Sequence, residues 1–294
     1  MNETPELMRR HLMGTLRRHR EAAGLTQKDA AEALDWGTSK IIRIELGTVG
    51  VTPVDLRALL ELYKVTDEAE VSELVRLARS SKKPTWRTYK DVYSPASLTL
   101  FGYEGAAEVI YKYEPTFMPG LLQTEEYARA LLAGMGHEER EIERMVSARL
   151  ERQELLDHDP HPKLEFILGE AVVNRAVGGR GVMRRQLEWL GVLAERPGIS
   201  LQVLPFSAGA HPRMGGAFTI LQFADENIDD LLYLENAGGT SVSRDDPDLI
   251  ADYLKDFLKL QGLASKSGEF ARIIGRAVKE RFMDSSRSRD IKGT

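Results

Sequence analysis

Apolar residues in the first eighty positions recur at intervals of three and four, the spacing that places side chains on one face of a helix. This pattern predicts five helices, at residues 5–20, 27–34, 38–46, 53–63 and 67–79. Thr26, Thr52 and Thr66 precede three of them as N-caps, and Asp29 completes a capping box with Thr26. The second and third helices are short and close together, which indicates a helix-turn-helix inside a helical bundle.

The third of these helices has one apolar side. Ile41 and Ile44 are its predicted buried pair, whereas Ile42 points away from them and is expected to be exposed. An exposed isoleucine beside a DNA groove can contact a thymine methyl group. The alternative is an ordinary apolar surface residue without a role, which is common in proteins.

The leading edge of the same helix is small and polar. Thr38, Ser39 and Lys40 form its first turn, and Arg43 follows one turn later. A recognition helix enters the major groove only where its first turn is free of bulk, and these side chains can bond to bases or phosphates. The pattern therefore predicts a DNA-reading surface.

The run LRRHREAAGLTQKDAAEALDWGTSKIIRIELG, at residues 16–47, resembles the lambda-repressor/Cro-type, or XRE-family, helix-turn-helix. The resemblance covers roughly residues 10–65. It rests on the Gly-Leu-Thr-Gln start, the alanines at the helix crossing and the Ile-x-x-Ile-Glu-x-Gly end. The chain departs from the family at Leu46, where Asn is usual, and at Gly37, where a serine cap is frequent.

The resemblance implies a role for each matching position. It makes Thr38, Ser39 and Arg43 base-reading residues and Lys40 a phosphate contact. Gln27 would contact a phosphate and brace the recognition helix, and Arg20 and Glu45 would form an internal salt bridge. The DNA-binding residues expected from the exposed cations and from the resemblance are Arg17, Gln27, Thr38, Ser39, Lys40, Ile42 and Arg43. The alternative is a bundle of this fold that binds a protein and no longer binds DNA.

A polar run, Ser80-Ser81-Lys82-Lys83-Pro84, predicts the domain boundary. The expected division is a helix-turn-helix domain at residues 1–66, a connecting helix and linker at 67–84, and a regulatory domain at 85–294. The fold class is therefore multidomain.

The second domain mixes helices and strands. Its β-rich runs predict strands at 108–113, 164–168, 199–204, 217–223 and 231–235. Its helical runs are 125–133, 139–156, 182–195, 247–263 and 267–281. We expect an α+β domain with one mostly antiparallel sheet covered by helices. Trp86, Tyr89 and Tyr93 are expected to pack the linker onto this domain, rather than to stack on bases.

Several phrases carry a second resemblance, across most of residues 95–280. They are MPGLLQTEEYARALL at 118–132, RLERQELL at 149–156, VGGRGVMRRQLEWL at 177–190, LQVLPFSAGAHPRMGGAFTILQF at 201–223 and LYLE at 232–235. Together they resemble the C-terminal domain of actinobacterial WhiJ-like regulators, the Scr-type antitoxin-like family. The resemblance implies a small BldB-like protein partner for the second domain.

Charge is uneven along an acidic chain. The 294 residues carry a net charge of -5, but five arginines and no acid lie between Arg9 and Arg20. Because electrostatic attraction acts mainly within about 10 Å at physiological salt, a local basic stripe can still bind phosphates. A single recognition helix reads few base pairs, so we also expect a homodimer on two half-sites of an operator.

The sequence offers little for catalysis. There is no cysteine, and the motifs of metalloproteases, P-loop proteins and serine hydrolases are missing, so we expect no enzyme, no metal and no cofactor. His158, Asp159 and His161 have side chains that can bind a metal, but prolines interrupt them and a loop explains them better. With no long apolar segment and no signal core, we expect a cytoplasmic protein without a membrane partner.

One alternative function stays open for the second domain, a sensor of a small apolar molecule. Its pocket would be lined by aromatic residues and methionines, namely Phe117, Met118, Phe206, Met214 and Phe218. The simpler explanation of these residues is ordinary core packing.

Overall fold

The computed structural model describes residues 5–45, 49–80, 85–158, 161–225, 228–236, 239–243 and 246–282. Leu46 and Gly47, Asp159 and the predicted linker at 81–84 lie outside the described residues.

The N-terminal region is a bundle of five helices. They are α1 (Pro5–Ala22), α2 (Gln27–Ala33), α3 (Thr38–Glu45), α4 (Pro53–Leu62) and α5 (Glu68–Ser80). Their apolar sides enclose one core, in which Leu16, Ile41 and Leu56 are almost inaccessible to solvent. Burial of side chains from all five helices is what holds such short elements together, because isolated helices of this length are marginal in water.

Two of the three predicted N-caps are confirmed. Thr26 and Asp29 form the reciprocal capping box at the start of α2, and the Thr52 hydroxyl accepts from the Asp55 amide at the start of α4. The prediction of Thr66 for α5 is wrong. Asp67 accepts from the Ala69 amide at 2.8 Å, since its carboxylate reaches the first free N–H groups of that helix.

The second domain contains one sheet of six strands. They are β1 (Val109–Glu114), β2 (Lys163–Gly169), β3 (Ile199–Leu204), β4 (Ala217–Gln222), β5 (Leu231–Asn236) and β6 (Gly239–Ser243). Their order across the sheet is β3-β2-β1-β4-β5-β6.

The expectation of a mostly antiparallel sheet is corrected to a mixed one. β1 is parallel to β2 and β2 to β3, whereas the pairs β1–β4, β4–β5 and β5–β6 are antiparallel. The parallel half follows from the connections, because helical segments after β1 and β2 are long enough to return the chain to the same edge.

Helices cover both faces of the sheet. They are α6 (Pro95–Glu104), α7 (Glu125–Gly134), α8 (Glu139–Gln153), α9 (Glu170–Asn174), α10 (Gly179–Ala194), α11 (Pro247–Leu263) and α12 (Phe270–Ala277). The core on one face contains residues of α6, α10 and α12 together with Ile110 and Phe166 of the strands. The core on the other face joins Phe257 of α11 to Phe218 and Ile220 of β4. The domain therefore has three layers.

Three elements were not predicted: α9, a helix of only five residues, and α6 and β6. α6 is capped by Ser94 and starts at Pro95, but it is buried around most of its circumference and shows no polar side in the sequence. β6 is short and largely exposed, with no run of β-branched or aromatic residues. Neither α6 nor β6 has the periodic pattern on which a sequence prediction depends.

The two regions meet through α1 and α6. The His11 ring of α1 also lies 2.8 Å from the Asp225 carboxylate, just after β4. As predicted, the aromatic residues after the linker pack on the second domain, since Trp86 and Tyr93 both contact the Phe101 ring of α6. None of the helices described has the length and apolar character needed to cross a bilayer.

Candidate nucleic-acid interface

α3 presents two different sides. Ile41 and Ile44 are 1% and 2% exposed in the bundle core, as their spacing predicted. Ser39 and Arg43 are exposed on the opposite side, and Thr38 is partly exposed beside them. Ile42, expected to be exposed, is only partly so. The outward side of α3 thus combines two hydroxyl groups, a guanidinium and part of an apolar side chain.

A buried ion pair fixes the end of α3. Arg20 of α1 donates to both carboxylate oxygens of Glu45, from Nε at 2.7 Å and from a terminal nitrogen at 3.0 Å. The other terminal nitrogen of Arg20 donates to the Leu25 carbonyl at 2.8 Å, and Gln27 of α2 donates to Glu45 at 2.9 Å. One carboxylate therefore ties together α1, α2 and α3.

This pair is removed from solvent. The Arg20 and Glu45 side chains are 8% and 5% exposed. The hydrogen bonds to Glu45 raise the pKa of Arg20 above its usual value, against the lowering effect of burial. Burial raises the pKa of the neighbouring Tyr63 to about 12, with a further contribution from the Glu45 charge. The resemblance implied this salt bridge, and the geometry is bidentate, the strongest arrangement for an arginine and a carboxylate.

Lys40 is already engaged. Its ammonium nitrogen lies 3.5 Å from the centroid of the Trp36 ring and donates to Asp55 at 2.8 Å. Asp55 belongs to the first turn of α4, and its bond to Lys40 shows that the start of α4 lies next to α3. A phosphate contact by Lys40 has to compete with this carboxylate. Sequence reasoning missed Trp36 and Asp55 as neighbours of Lys40, because nothing in their spacing shows that α3 and the start of α4 meet.

The two arginines of the predicted set differ in their surroundings. Arg17 is 44% exposed and donates to Glu21 at 3.0 Å, one turn further along α1. Arg43 is exposed and its Nε donates to the Ser39 carbonyl of its own helix at 3.1 Å. Both guanidinium groups therefore remain at the surface and close to α3 or to the adjoining end of α1.

A surface depression brings part of the predicted set together. Arg17, Gln27 and Ile42 line it, together with the Arg20–Glu45 pair. The other four predicted residues, Thr38, Ser39, Lys40 and Arg43, do not line this depression. They belong to the leading edge and exposed side of α3.

The turn between α2 and α3 has an unusual backbone. Asp35 has φ of 55°, the left-handed region that non-glycine residues adopt rarely and aspartate more readily than most. A residue that tolerates this backbone conformation therefore closes the turn. The turn sets the angle between α2 and α3.

Of the residues considered for metal binding, His161 bonds to the backbone. Among the described residues, no group of three histidine, cysteine, aspartate or glutamate side chains is placed to hold a metal ion. His161 donates from Nδ1 to the Pro162 carbonyl at 2.7 Å. His211, which is not part of that cluster, makes an equivalent bond to the Pro212 carbonyl at 2.8 Å.

Comparison with protein families assigns both regions. Residues 11–74 match a helix-turn-helix domain, and residues 98–276 match a domain of unknown function, DUF5753. The second match spans more than half of the chain's 294 residues. The chain belongs to the DUF5753 family. No curated protein and no solved structure matches it. The helix-turn-helix match supports a DNA-binding transcriptional regulator, in which the DUF5753 domain follows the DNA-binding bundle.

Removing Glu45 tests the buried pair of this DUF5753 protein. Glu45→Ala leaves the Arg20 guanidinium buried without its partner, which typically costs about 3–5 kcal/mol. We expect that loss of stability in the bundle, measured by hydrogen exchange of the α2 and α3 amides with mass spectrometry. Glu32→Ala is the control, because Glu32 is 68% exposed and its pairing with Lys28 should be worth under ~1 kcal/mol. Equal exchange in the two variants would contradict the role assigned to the pair.

Asp55 is expected to weaken DNA binding by holding Lys40. Asp55→Asn should raise affinity for DNA of any sequence by severalfold, because it releases an ammonium group for a phosphate. Fluorescence anisotropy over a range of salt concentrations measures this gain. Adding Lys40→Ala to the same chain should remove the gain, and Glu61→Gln, an exposed change on α4, should have no effect. A gain that survives Lys40→Ala would show that the Lys40 ammonium is not responsible.

Proposed function

We propose that the protein is a sequence-specific transcriptional regulator that reads an operator with α3 in the major groove. The observation that carries the proposal is the outward side of α3, where Thr38, Ser39 and Arg43 are presented on a helix whose end is fixed by Glu45. Rigid presentation matters because base-reading hydrogen bonds depend on register.

The second domain contacts the bundle away from this surface. α3 packs mainly against α1 and α2, whereas the second domain meets α1 through α6 and the His11–Asp225 contact. His11 and Arg20 are nine residues apart on α1, about 13 Å at the rise of a helix. This separation supports a recognition helix that can approach DNA while the second domain stays attached.

We further infer that the regulator acts as a homodimer on two half-sites, because one such helix contacts only a few base pairs. In this proposal the DUF5753 domain is a regulatory input and not an enzyme. Its input is a small protein partner or a small molecule, and separate observations favour each.

The resemblance to antitoxin-like regulators favours a small BldB-like protein partner. Phe206 and Met214, between β3 and β4, are 68% and 60% exposed, and apolar side chains of this size at a surface are typical of protein contacts. Phe206→Ser with Met214→Ser should release a small protein that co-purifies with the full chain from its native host. Leu258→Ser, on the exposed side of α11, is the control. Retention of that protein by the double variant would contradict the assignment of Phe206 and Met214 to the partner contact.

The five residues considered for an apolar pocket do not form one. Met118 and Phe218 are buried in cores on opposite faces of the sheet, and Phe206 and Met214 are exposed. Phe117 lines a cavity in the second domain. That cavity has charged as well as apolar walls, so it suits a different kind of ligand from the one expected.

Arg43 gives the test of operator reading. Arg43→Ala should weaken binding to the operator by ~1–3 kcal/mol and relax the preference at one or two base pairs, because a bidentate arginine–guanine contact is lost. Selection from a random DNA library, followed by anisotropy on the selected site, measures both effects. Arg57→Ala, an exposed change on α4, is the control. If Arg43→Ala selects the same site with the same affinity, the base-reading assignment is wrong, and if the parent selects no site the proposed function is wrong.

A further inference from the structure

A cavity of about 370 Å³ lies on one face of the sheet in the second domain. A row of neighbouring residues on four strands lines it: Phe166 of β2, Lys112 of β1, Thr219 of β4 and Tyr233 of β5. α6 and α8 contribute the opposite wall through residues such as Phe101 and Met145. A volume of this size is within the range of small-molecule sites.

The lining includes charges in the middle of the sheet. Lys112 and Glu114 belong to β1, which has a strand on each side, and they are 9% and 1% exposed. The Lys112 ammonium lies 3.4 Å from a Glu235 oxygen and 3.7 Å from Glu114 Oε2. Apolar residues are the usual occupants of such positions, since buried charges are costly even when they are paired.

Glu114 has an unused acceptor. Its Oε1 accepts from the Thr116 hydroxyl at 2.9 Å and from the Thr116 amide at 3.2 Å. Its Oε2 is buried and accepts no hydrogen bond from any residue that the structure describes. Burial raises the pKa of Glu114, and the nearby Lys112 charge opposes that rise.

Two arginines of α8 lie at the cavity, and a buried nitrogen of one of them makes no described hydrogen bond. Arg152 donates to both oxygens of Glu104, at 2.9 and 2.7 Å, and lies over the Phe101 ring. Arg149 donates to the Gln123 side chain at 2.7 Å, but its buried Nε has no partner within the described ranges. No carboxylate in those ranges pairs with Arg149, whose pKa is lowered by burial.

Gly120 makes room beside these guanidinium groups. A Cβ atom at Gly120 would lie 3.2 Å from a terminal nitrogen of Arg152 and 3.6 Å from Arg149 Nε. The absence of a side chain at this position therefore keeps the space next to both guanidinium groups free at the cavity wall.

We propose that the cavity binds a small zwitterion with an apolar body, such as a free amino acid with an apolar side chain. Its carboxylate pairs with Arg149. Its ammonium group donates to Glu114 Oε2, in the acidic part of the cavity that Glu114 and Glu235 form together. Its apolar body contacts Leu100, Leu121 and Met145, which line the same cavity. A ligand of this kind carries one charged group for Arg149 and one for Glu114.

The position of the cavity also connects it to the DNA-binding bundle. α6 lines the cavity with Ser97, Leu100, Phe101 and Glu104, and the same helix packs on α1. A ligand that changes the favoured position of α6 can therefore change the equilibrium between conformations of the bundle. This regulatory step rests on the proposed function, whereas ligand binding does not.

Calorimetry on the full chain tests the site, with L-leucine, L-methionine and L-phenylalanine as probes. We expect at least one to bind with a Kd below about 1 mM. For phenylalanine the matched analogues are 3-phenylpropionate, which lacks the ammonium group, and 2-phenylethylamine, which lacks the carboxylate. Each should bind about tenfold more weakly than the zwitterion, because one buried polar atom stays unpaired. Absence of binding by all three amino acids, or equal binding by an analogue of the bound one, would overturn the proposal.

Substitutions identify the groups involved. Arg149→Met and Glu114→Gln should each weaken the bound amino acid about tenfold or more, and Gly120→Ala should weaken it by filling the space beside Arg149. Arg140→Met on the exposed side of α8 and Glu108→Gln before β1 are the controls and should bind like the parent. Without ligand, Arg149→Met should have a thermal midpoint no lower than the parent. A lower midpoint with unchanged binding would show a structural arginine and contradict its role in the site.

Operator affinity with and without the bound amino acid tests the regulatory step. We expect a change of at least about fivefold at saturation, in the range of typical coupling between sites. Unchanged operator affinity would contradict the coupling through α6. Failure to bind any operator would contradict the proposed function and leave the calorimetric result unaffected.

Discussion

The geometry of α3, the helix proposed to read DNA, depends on the buried pair between Arg20 and Glu45. α3 has eight residues and little intrinsic stability, so its direction is set by what it contacts. Ile41 and Ile44 supply apolar burial, which is favourable but permits rotation of the helix. The bidentate pair, braced by Gln27 and by the Leu25 carbonyl, removes that freedom. The outward orientation of Ser39 and Arg43 therefore depends on a carboxylate of the same helix that is held in the bundle.

α1 connects this constraint to the rest of the protein. Arg20, near its end, fixes α3, while His11, nearer its start, contacts Asp225 of the second domain. α6 packs on α1 and also forms part of the wall of the charged cavity. In the proposed coupling, a shift of α6 against α1 would move the bundle, and α3 with it, relative to the second domain. This arrangement suits a regulator whose input and output lie on different domains.

Local sequence patterns were enough to predict the bundle, and they failed where the structure depends on distant contacts. The Thr26 capping box and the Ile41–Ile44 pair involve neighbours within one turn, so their spacing revealed them. α6 is buried on most sides and therefore has no period to detect. The parallel pairing of β1 with β2 depends on a long connection, and the contact of Lys40 with Asp55 depends on how two helices meet. The Arg20–Glu45 pair was reached only through a family resemblance, since charge spacing alone does not select one partner among many.

The cavity shows the same limit and also indicates a purpose. Glu114 and Arg149 lie on different elements, so no pattern in the chain places them at one site. Burying both charged side chains costs stability. That cost needs an explanation, because a protein with well-packed apolar residues at such positions is often as stable or more stable. Arg152 and Glu104 satisfy each other and can be explained as structure. Arg149 lacks a carboxylate partner in the described chain, and Glu114 Oε2 accepts no hydrogen bond from any described residue. Charges kept in a central strand and its facing helix, each with an atom that makes no described hydrogen bond, are explained by a ligand that carries both signs.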